Sequence, residues 1–322
     1  MNPMSQYNDP ELQDIADKLA SNDVEMRRVG VLALVDSAEP EAADLLTMAL
    51  KDPDPSVRRE AAKVVDEFES ADIADALLAA LSDSDEAVRN AAAHALADLK
   101  DTDAAQPLLG ALKGSDDPFV IVGVLGALKP MRLAESCEPA LALLQHADAA
   151  VRREAVSVLG WLRSPANLPV LIERAREDAD PDVRRVAVSA LSYGDPDSIG
   201  DALLAGLQDE NWQVRAEAAS MIGKLRLRLA LQSLIEGTRD SFWQVREKAV
   251  EALGTLGDPK AVEAVGVCTD DPVSNLRKAA VGALGEIGDA KAQAYVESAM
   301  DDPDPDVRKT ALWAQSKLRV AS

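Results

Sequence analysis

The sequence predicts an all-α protein of about ten helix–turn–helix repeats, and three observations support that fold class. An arginine preceded by an apolar residue returns every 31 or 32 residues along the 322-residue chain. Asp, Pro and Gly, which suit helix starts and helix ends, interrupt the pattern once in each half-repeat. Between these breaks, apolar residues follow the spacing of one helix face. Ten such units would fill residues 1–322, so we expect a single repeat domain.

The repeated arginine sets the register of the units. It stands at Arg27, Arg58, Arg89, Arg152, Arg184, Arg215, Arg246, Arg277 and Arg308, and Ile121 takes its place in unit four. Acidic residues are common in the turns before the second helices, as in DPDP at Asp52 and at Asp302. A guanidinium offers five donors to the carboxylates and carbonyls of an adjacent turn. We therefore predict a structural Asp–Arg ladder between neighbouring repeats.

Two columns of residues predict how the second helices stack. Three positions after the arginine register, nearly every unit has a small residue such as Ala61 or Ala92, which lets helix axes approach closely. Seven positions after it stands an aliphatic residue, until Gln315 replaces it in the last unit. The change predicts a C-terminal capping repeat at about residues 290–322. The polar residues 1–9 are expected to fray.

The unit D-x-D-x-x-V-R-x-x-A-x-x-A-L resembles the short HEAT-like repeat of the phycobilin-lyase type. The strings DPDPSVRREAAKVV from Asp52 and DPDPDVRKTALWAQ from Asp302 carry the resemblance. It implies a right-handed α-solenoid whose second helices line a concave face. That repeat group includes bilin-attachment lyase subunits, phycobilisome-degradation factors and many adaptor proteins, so the resemblance indicates architecture more than function.

Charge and targeting patterns narrow the function classes. The chain has 34 Lys and Arg against 56 Asp and Glu, a net charge of −22, which disfavours nucleic-acid binding because that affinity depends on cationic side chains. The same charge suits a partner with a basic or amphipathic segment. The sequence shows no signal-peptide pattern and no apolar stretch of bilayer length, so we expect a cytoplasmic protein without a membrane partner. The two cysteines, Cys137 and Cys268, form no CxxC motif.

Unit four departs most from the repeat. Its second helix, DPFVIVGVLGALKPMR from Asp117, lacks the arginine and is apolar nearly all round, with Phe119 and Val122 on its surface positions. A helix of this kind is usually buried. A partner, a neighbouring chain or the following segment KPMRLAESCEP would have to cover it.

Units seven and eight contain an unusual pair of tryptophans. Trp212 and Trp243 stand three positions before their arginines, where several other units have proline, and Phe242 precedes Trp243. Their spacing predicts that the two tryptophans lie side by side on one rim. Such a cluster suits a protein-binding hot spot or stacking with a flat ligand. The alternative is that each tryptophan covers the turn below it.

A basic segment follows the first of these tryptophans. In KLRLRLALQSL, the residues Lys224, Arg226 and Arg228 stand where other linkers are acidic. This weak anion-binding candidate could receive a carboxylate-rich partner, a tetrapyrrole propionate or a phosphate, or could pair with surface acids. Nine positions after the register, Trp161 and Tyr193 are expected to be neighbours and to add to a partner surface. Trp313 is expected to pack in the capping repeat.

Catalytic patterns are missing from the sequence. His94 and His146 lie in different registers, no metal-ligand or phosphate-loop motif occurs, and no acid–base pair stands out among the carboxylates. The favoured interpretation is a non-catalytic scaffold, adaptor or assembly factor without a cofactor or metal. It would bind a partner protein on its concave face or rim, as a monomer or in a hetero-complex. The alternatives are a tetrapyrrole (bilin) lyase subunit or cofactor chaperone and, third, an anion or nucleic-acid binder.

Overall fold

The structure is a computed structural model that describes residues 7, 9–37, 41–65, 68, 71–99 and 104–321. The predicted fraying of residues 1–9 therefore falls mostly outside the described residues. Within them the regular structure is entirely helical, in consecutive pairs of α-helices. The predicted all-α helix–turn–helix fold is confirmed.

In most units a shorter first helix precedes a longer second helix. The first helices are α1 (Pro10–Leu19), α3 (Ala42–Ala49), α5 (Ala71–Ala80), α7 (Ala105–Gly114), α9 (Cys137–Leu143), α11 (Leu168–Glu177), α13 (Pro196–Gly206), α15 (Leu231–Gly237), α17 (Val262–Val267) and α19 (Gln293–Ser298). The second helices are α2 (Val24–Leu34), α4 (Pro55–Lys63), α6 (Glu86–Asp98), α8 (Pro118–Met131), α10 (Ala149–Leu162), α12 (Pro181–Ala190), α14 (Trp212–Leu225), α16 (Trp243–Leu256), α18 (Ser274–Ile287) and α20 (Pro305–Ala321). Residues 1–162 form one compact unit and residues 163–322 a second.

Side chains in the turns start the second helices. Asp23, Asp54, Asp85, Asp117, Asp180 and Asn211 each precede a second helix and accept a backbone N–H from its first turn. Such an N-cap satisfies one of the amides that the helix leaves unpaired and stabilises it by about 1 kcal/mol. The repeated acidic turns are thus helix starts as well as a source of charge.

The two predicted columns of the second helices are buried. At the position three after the arginine, the residues from Ala61 to Ala311 are completely buried, including Val124 in unit four. At the position seven after it, Leu34, Leu96 and their equivalents are also in the core, whereas Gln315 is only half-buried. In both units the second helices pack against one another more extensively than the first helices do.

Glycines let the second helices of the second unit approach closely. Gly223, Gly254 and Gly285 occupy equivalent positions on α14, α16 and α18. A Cβ atom on Gly254 would lie 2.8 Å from Cα and Cβ of Ala283 on the next helix, which is closer than carbon atoms can pack. Small residues on both sides of the contact therefore fix the distance between these helices.

Candidate functional site

The arginine of each register joins its own turn to the turn of the next repeat. Nη1 of Arg58 donates to the carbonyl oxygen of Asp52 at 2.7 Å. Its Nε and Nη2 donate to the two carboxylate oxygens of Asp83, at 2.6 and 2.8 Å. Oδ1 of Asp83 also accepts the backbone N–H of Asp85 at 2.9 Å. One side chain thus holds two successive turns together through a bidentate, charge-assisted contact.

Ion pairs between an arginine and the aspartate of the next turn recur along the chain. They join Arg27 to Asp52, Arg58 to Asp83, Arg184 to Asp209, Arg215 to Asp240, Arg246 to Asp271 and Arg277 to Asp302. The hydrogen bonds from Arg58 and Arg277 lower the pKa values of the Asp83 and Asp302 carboxyl groups below the ordinary range. Arg308 also binds its own turn, donating to the carbonyl oxygen of Asp302 at 2.7 Å.

The pattern changes on both sides of unit four. Arg89 donates to its own turn, but the position that would carry its aspartate partner is Gly114. Its guanidinium lies over the ring of Phe119 instead, 5.9 Å from the ring centroid. In the next turn Nδ1 of His146 accepts the backbone N–H of Asp148, and Arg152 donates to the carbonyl oxygen of His146 at 2.9 Å. Phe119 and His146 therefore have local structural contacts.

The apolar helix of unit four is largely packed within the first unit. Val124, Leu125 and Leu128 of α8 are completely buried, and Phe119 and Val122 are half-buried. A Cβ atom on Gly123 would lie 3.2 Å from Leu81, so this face of α8 meets the first helix of the preceding repeat. The helix ends at Arg132, whose backbone is left-handed.

Trp212 stacks on Phe242 rather than on Trp243. The ring centroids of Trp212 and Phe242 are 5.6 Å apart and the rings are inclined by 14°. The Arg215 guanidinium lies 5.8 Å from the Phe242 centroid. Phe242 remains 43% exposed, and Trp243 beside it is half-buried. Trp212, Phe242 and Trp243 form what we call the aromatic cluster, at the N-terminal ends of α14 and α16.

Phe242 occupies the position that starts a second helix. Asp or Asn caps most of the earlier second helices there, but Phe242 makes no side-chain cap contact with α16. Replacing a good capping residue with an apolar one usually costs about 1 kcal/mol. The stack with Trp212 recovers stability of the same order, because aromatic pairs contribute about 0.5–1.5 kcal/mol beyond burial. The sequence indicated Phe242 as a neighbour of Trp243, whereas its contact is with the preceding repeat.

The basic segment lies at the opposite end of α14. Lys224, Arg226 and Arg228 are all exposed, and none forms an ion pair with a carboxylate in the described part of the chain. Lys224 comes twelve positions after Trp212 in α14, which is about 18 Å along the helix axis. The structure therefore does not bring the basic segment to the aromatic cluster, although the two adjoin in sequence.

A cleft that the sequence did not indicate opens beside Arg226. It has a volume of about 560 Å³, and its walls include Arg226, Thr255, Glu286, Trp313 and Lys317. The Lys317 ammonium lies 5.7 Å from the Trp313 ring centroid, and Trp313 is 42% exposed. We call it the C-terminal cleft, because it lies where α16 and α18 end. Trp313, expected to pack in the capping repeat, is thus also a wall of a cavity.

Glycines form the floor of this cleft. A Cβ atom on Gly285 would lie 2.7 Å from Cζ3 of Trp313, and one on Gly254 would lie 2.9 Å from Oε2 of Glu286. The indole and the carboxylate therefore lie directly against the backbone of the neighbouring helix. The glycines are visible in the sequence and could have drawn attention to this cleft. The sequence does not show, however, which side chains of the next repeat lie over them.

A family comparison identifies the repeat. The family model for HEAT repeats matches residues 43–129, 120–192, 169–244, 200–280 and 231–316, which together cover more than half of the chain. The chain is a HEAT-repeat protein. No curated protein sequence matches this HEAT-repeat protein.

Solved structures share its architecture at low sequence identity. An engineered protein is 19% identical over 96% of this chain and 99% of its own length, with a TM-score of 0.51. YibA of Escherichia coli is 20% identical over 83% of this chain and 98% of its own, with a TM-score of 0.55. Kap95, in its complex with Nup1, is 15% identical over 98% of this chain, with a TM-score of 0.64. The HEAT-repeat protein spans only 51% of that Kap95 chain. These likenesses show the fold alone.

The structure also gives the local contacts of the remaining candidate residues of the HEAT-repeat protein. Trp161 belongs to the first unit, where the Arg132 guanidinium lies 5.1 Å from its ring centroid. Tyr193 belongs to the second unit, and its hydroxyl donates to the carbonyl oxygen of Ser164 at 3.1 Å. Cys268 is buried, and burial raises the pKa of its thiol to about 11.

Neither a membrane span nor a metal cluster is found among the residues that the structure describes. No described helix is long and apolar enough to cross a bilayer. No group of three or more His, Cys, Asp or Glu side chains in those residues could hold a metal ion.

Proposed function

We propose that this HEAT-repeat protein is a non-catalytic scaffold or adaptor, and that a partner protein binds at the aromatic cluster. The observation that carries the proposal is the stacked pair formed by half-buried Trp212 and exposed Phe242. Large aromatic side chains with arginine close by are the residues most enriched at binding hot spots. With Phe242 at its start, α16 lacks the side-chain N-cap that most of the earlier second helices have. Binding of a partner would explain why an aromatic residue stands at this position.

Acidic groups beside the aromatic cluster indicate the chemistry of the partner. The Glu210 side chain, two residues before Trp212, pairs with Arg184 on one side and is 87% exposed. The Phe242 ring attracts cations such as the Arg215 guanidinium, because the face of an aromatic ring carries partial negative charge. With a net charge of −22, the chain favours approach of a positively charged segment. A basic or amphipathic segment with an apolar side chain to cover Phe242 fits these groups.

We favour a scaffold over a tetrapyrrole lyase subunit. A lyase that stacked its chromophore on Trp212 and held the propionates with Lys224, Arg226 and Arg228 would need these residues close together. They lie at opposite ends of α14, about 18 Å apart along the helix axis. The finer sequence expectations remain part of this proposal: one repeat domain over residues 1–322, a capping repeat at about 290–322, units of the phycobilin-lyase type and a cytoplasmic location.

Substitution of Phe242 tests the proposal without unfolding the chain. Phe242→Asp removes the exposed ring but supplies the missing N-cap, which offsets the lost stack, so we expect similar stability. The tagged full chain is purified gently from its own host, and co-purifying proteins are measured by native mass spectrometry. We expect a stoichiometric partner with the natural chain and a loss of affinity of about 30-fold, the effect of a hot-spot residue worth about 2 kcal/mol.

The matched control is Val267→Asp, which places the same charge at an exposed apolar residue of α17 in the same unit. This variant should keep the partner. Retention of the partner by a Trp212→Ala, Phe242→Asp double variant would contradict the proposal.

A further inference from the structure

Three arginines of this protein occupy a backbone conformation that normally favours glycine. Among the described non-glycine residues, only Arg132, Arg163 and Arg226 have a positive φ, at 51°, 50° and 53°. Arg132 and Arg226 directly follow second helices, and the equivalent positions after α16 and α18 are Gly257 and Gly288. A left-handed conformation costs a non-glycine residue about 1–2 kcal/mol. An arginine kept at such a position therefore has a reason beyond ending the helix.

At two of the three positions an aromatic residue follows at a similar distance along the chain. Trp161 comes 29 residues after Arg132, and the Arg132 guanidinium covers its ring at 5.1 Å. Tyr193 comes 30 residues after Arg163. The residue 29 positions after Arg226 is Thr255, and Thr255 and Arg226 both line the C-terminal cleft. The cleft thus opens where the Arg132 arrangement has an indole ring.

We propose that the C-terminal cleft binds a small ligand that consists of a flat unsaturated ring and a carboxylate or phosphate group. The ring would lie beneath Arg226, in the place that the Trp161 indole has beneath Arg132. The cleft volume of about 560 Å³ is within the usual range of small-molecule sites, roughly 300–1,000 Å³.

The charged groups around the cleft support an anionic ligand. Arg226 and Lys317 both line it, and neither forms an ion pair with a carboxylate in the described residues. Arg226 stacks on the ring of the ligand, and Lys317 binds its anionic group. Glu286, the carboxylate in the wall, accepts a hydrogen bond from an N–H or O–H of the ligand.

The four tryptophans of the chain give a direct binding assay. In the ¹⁵N-labelled full chain, the indole N–H signal of Trp313 is assigned by its loss in Trp313→Phe. Adenosine monophosphate and 2-naphthoate are the two ring anions, carrying phosphate and carboxylate respectively. Two control compounds test the parts separately: adenosine supplies the ring without the anion, and inorganic phosphate supplies the anion without the ring. We expect at least one ring anion to shift the Trp313 signal selectively at submillimolar concentration, and the separate parts to bind at least about tenfold more weakly.

Two variants locate the ligand. Arg226→Gly should weaken binding at least about tenfold while relieving the left-handed strain, so it will not fail by unfolding. Arg163→Gly makes the same change at another left-handed arginine of the same unit and should leave binding unchanged. Thr255→Trp should abolish binding, because its indole fills the space beneath Arg226. The proposal is overturned if neither ring anion shifts the Trp313 signal, if phosphate alone binds as tightly, or if Arg226→Gly and Thr255→Trp bind like the natural chain.

Discussion

Alanine at two glycines of α18 should change stability in opposite directions. Gly282 and Gly285 lie one turn apart in the same helix, and either substitution gains helix propensity of about 0.5–1 kcal/mol. A Cβ on Gly282 would meet only Cγ2 of Thr310, at an ordinary contact distance of 3.7 Å. Gly282→Ala should therefore stabilise the protein by about 0.5–1 kcal/mol.

The space at Gly285 is already filled. A Cβ there would lie 2.9 Å from both Cα and Cβ of Ala314 and 2.7 Å from Cζ3 of Trp313. Since Cα of Ala314 belongs to the backbone of α20, the two helices must move apart, and overpacking of this kind costs about 1–3 kcal/mol. After the gain in propensity, we expect Gly285→Ala to destabilise the protein by about 1–2 kcal/mol.

Urea unfolding of the full-length variants, followed by far-UV circular dichroism, measures the global effect. Hydrogen–deuterium exchange at α18 and α20 measures it locally, which matters because repeat proteins open in segments. Exchange there should slow in Gly282→Ala and accelerate in Gly285→Ala. The same sign of change in both variants, or a Gly285→Ala protein as stable as the natural chain, would refute the packing argument.

Three further predictions concern charge and backbone strain. Arg184→Met should destabilise the protein by about 3 kcal/mol, because it removes the ion-pair partner of the Asp209 carboxylate, which is only 10% exposed. Arg185→Met breaks an exposed pair with Asp182 and should change stability by less than about 0.5 kcal/mol. Equal effects of the two variants in urea unfolding would count against the ladder as a stabilising element. The lowered pKa of Asp302 adds stability above the unfolded-state pKa near 4 and loses it as the pH falls through the folded-state value. The urea midpoint should therefore fall between about pH 5 and pH 3, and less steeply in Asp302→Asn; identical pH profiles would contradict this. Arg226→Gly should raise the free energy of unfolding by about 1 kcal/mol, and no rise in thermal midpoint would mean that the position is not strained.

The repeat pattern was sufficient to predict the helix pairs and their buried columns. A residue such as Ala61 or Leu96 has the same neighbours in every unit, so its burial follows from period and register alone. The same reasoning places Arg58 and Asp83 in adjacent turns. These contacts could be predicted because the sequence and the contacts between neighbouring repeats follow the same period.

The two candidate sites depend on contacts between unlike repeats, which a period does not predict. Trp212 contacts Phe242 because Phe242 is one position earlier in its register than Trp243. The C-terminal cleft is lined by Thr255, at the position where another unit has Trp161, and by Trp313, which lies over a glycine of the preceding helix. Each feature requires knowing which side chains of one helix meet which side chains of the next.

Binding of a partner at the aromatic cluster is the central claim, and an exchange footprint of the complex tests it most directly. The co-purified complex and the free full-length chain are compared by hydrogen–deuterium exchange. The account predicts protection of the N-terminal turns of α14 and α16, around Trp212 and Trp243, and little change at the C-terminal end of α14. A stoichiometric complex that leaves both N-terminal turns exchanging as in the free chain would contradict it.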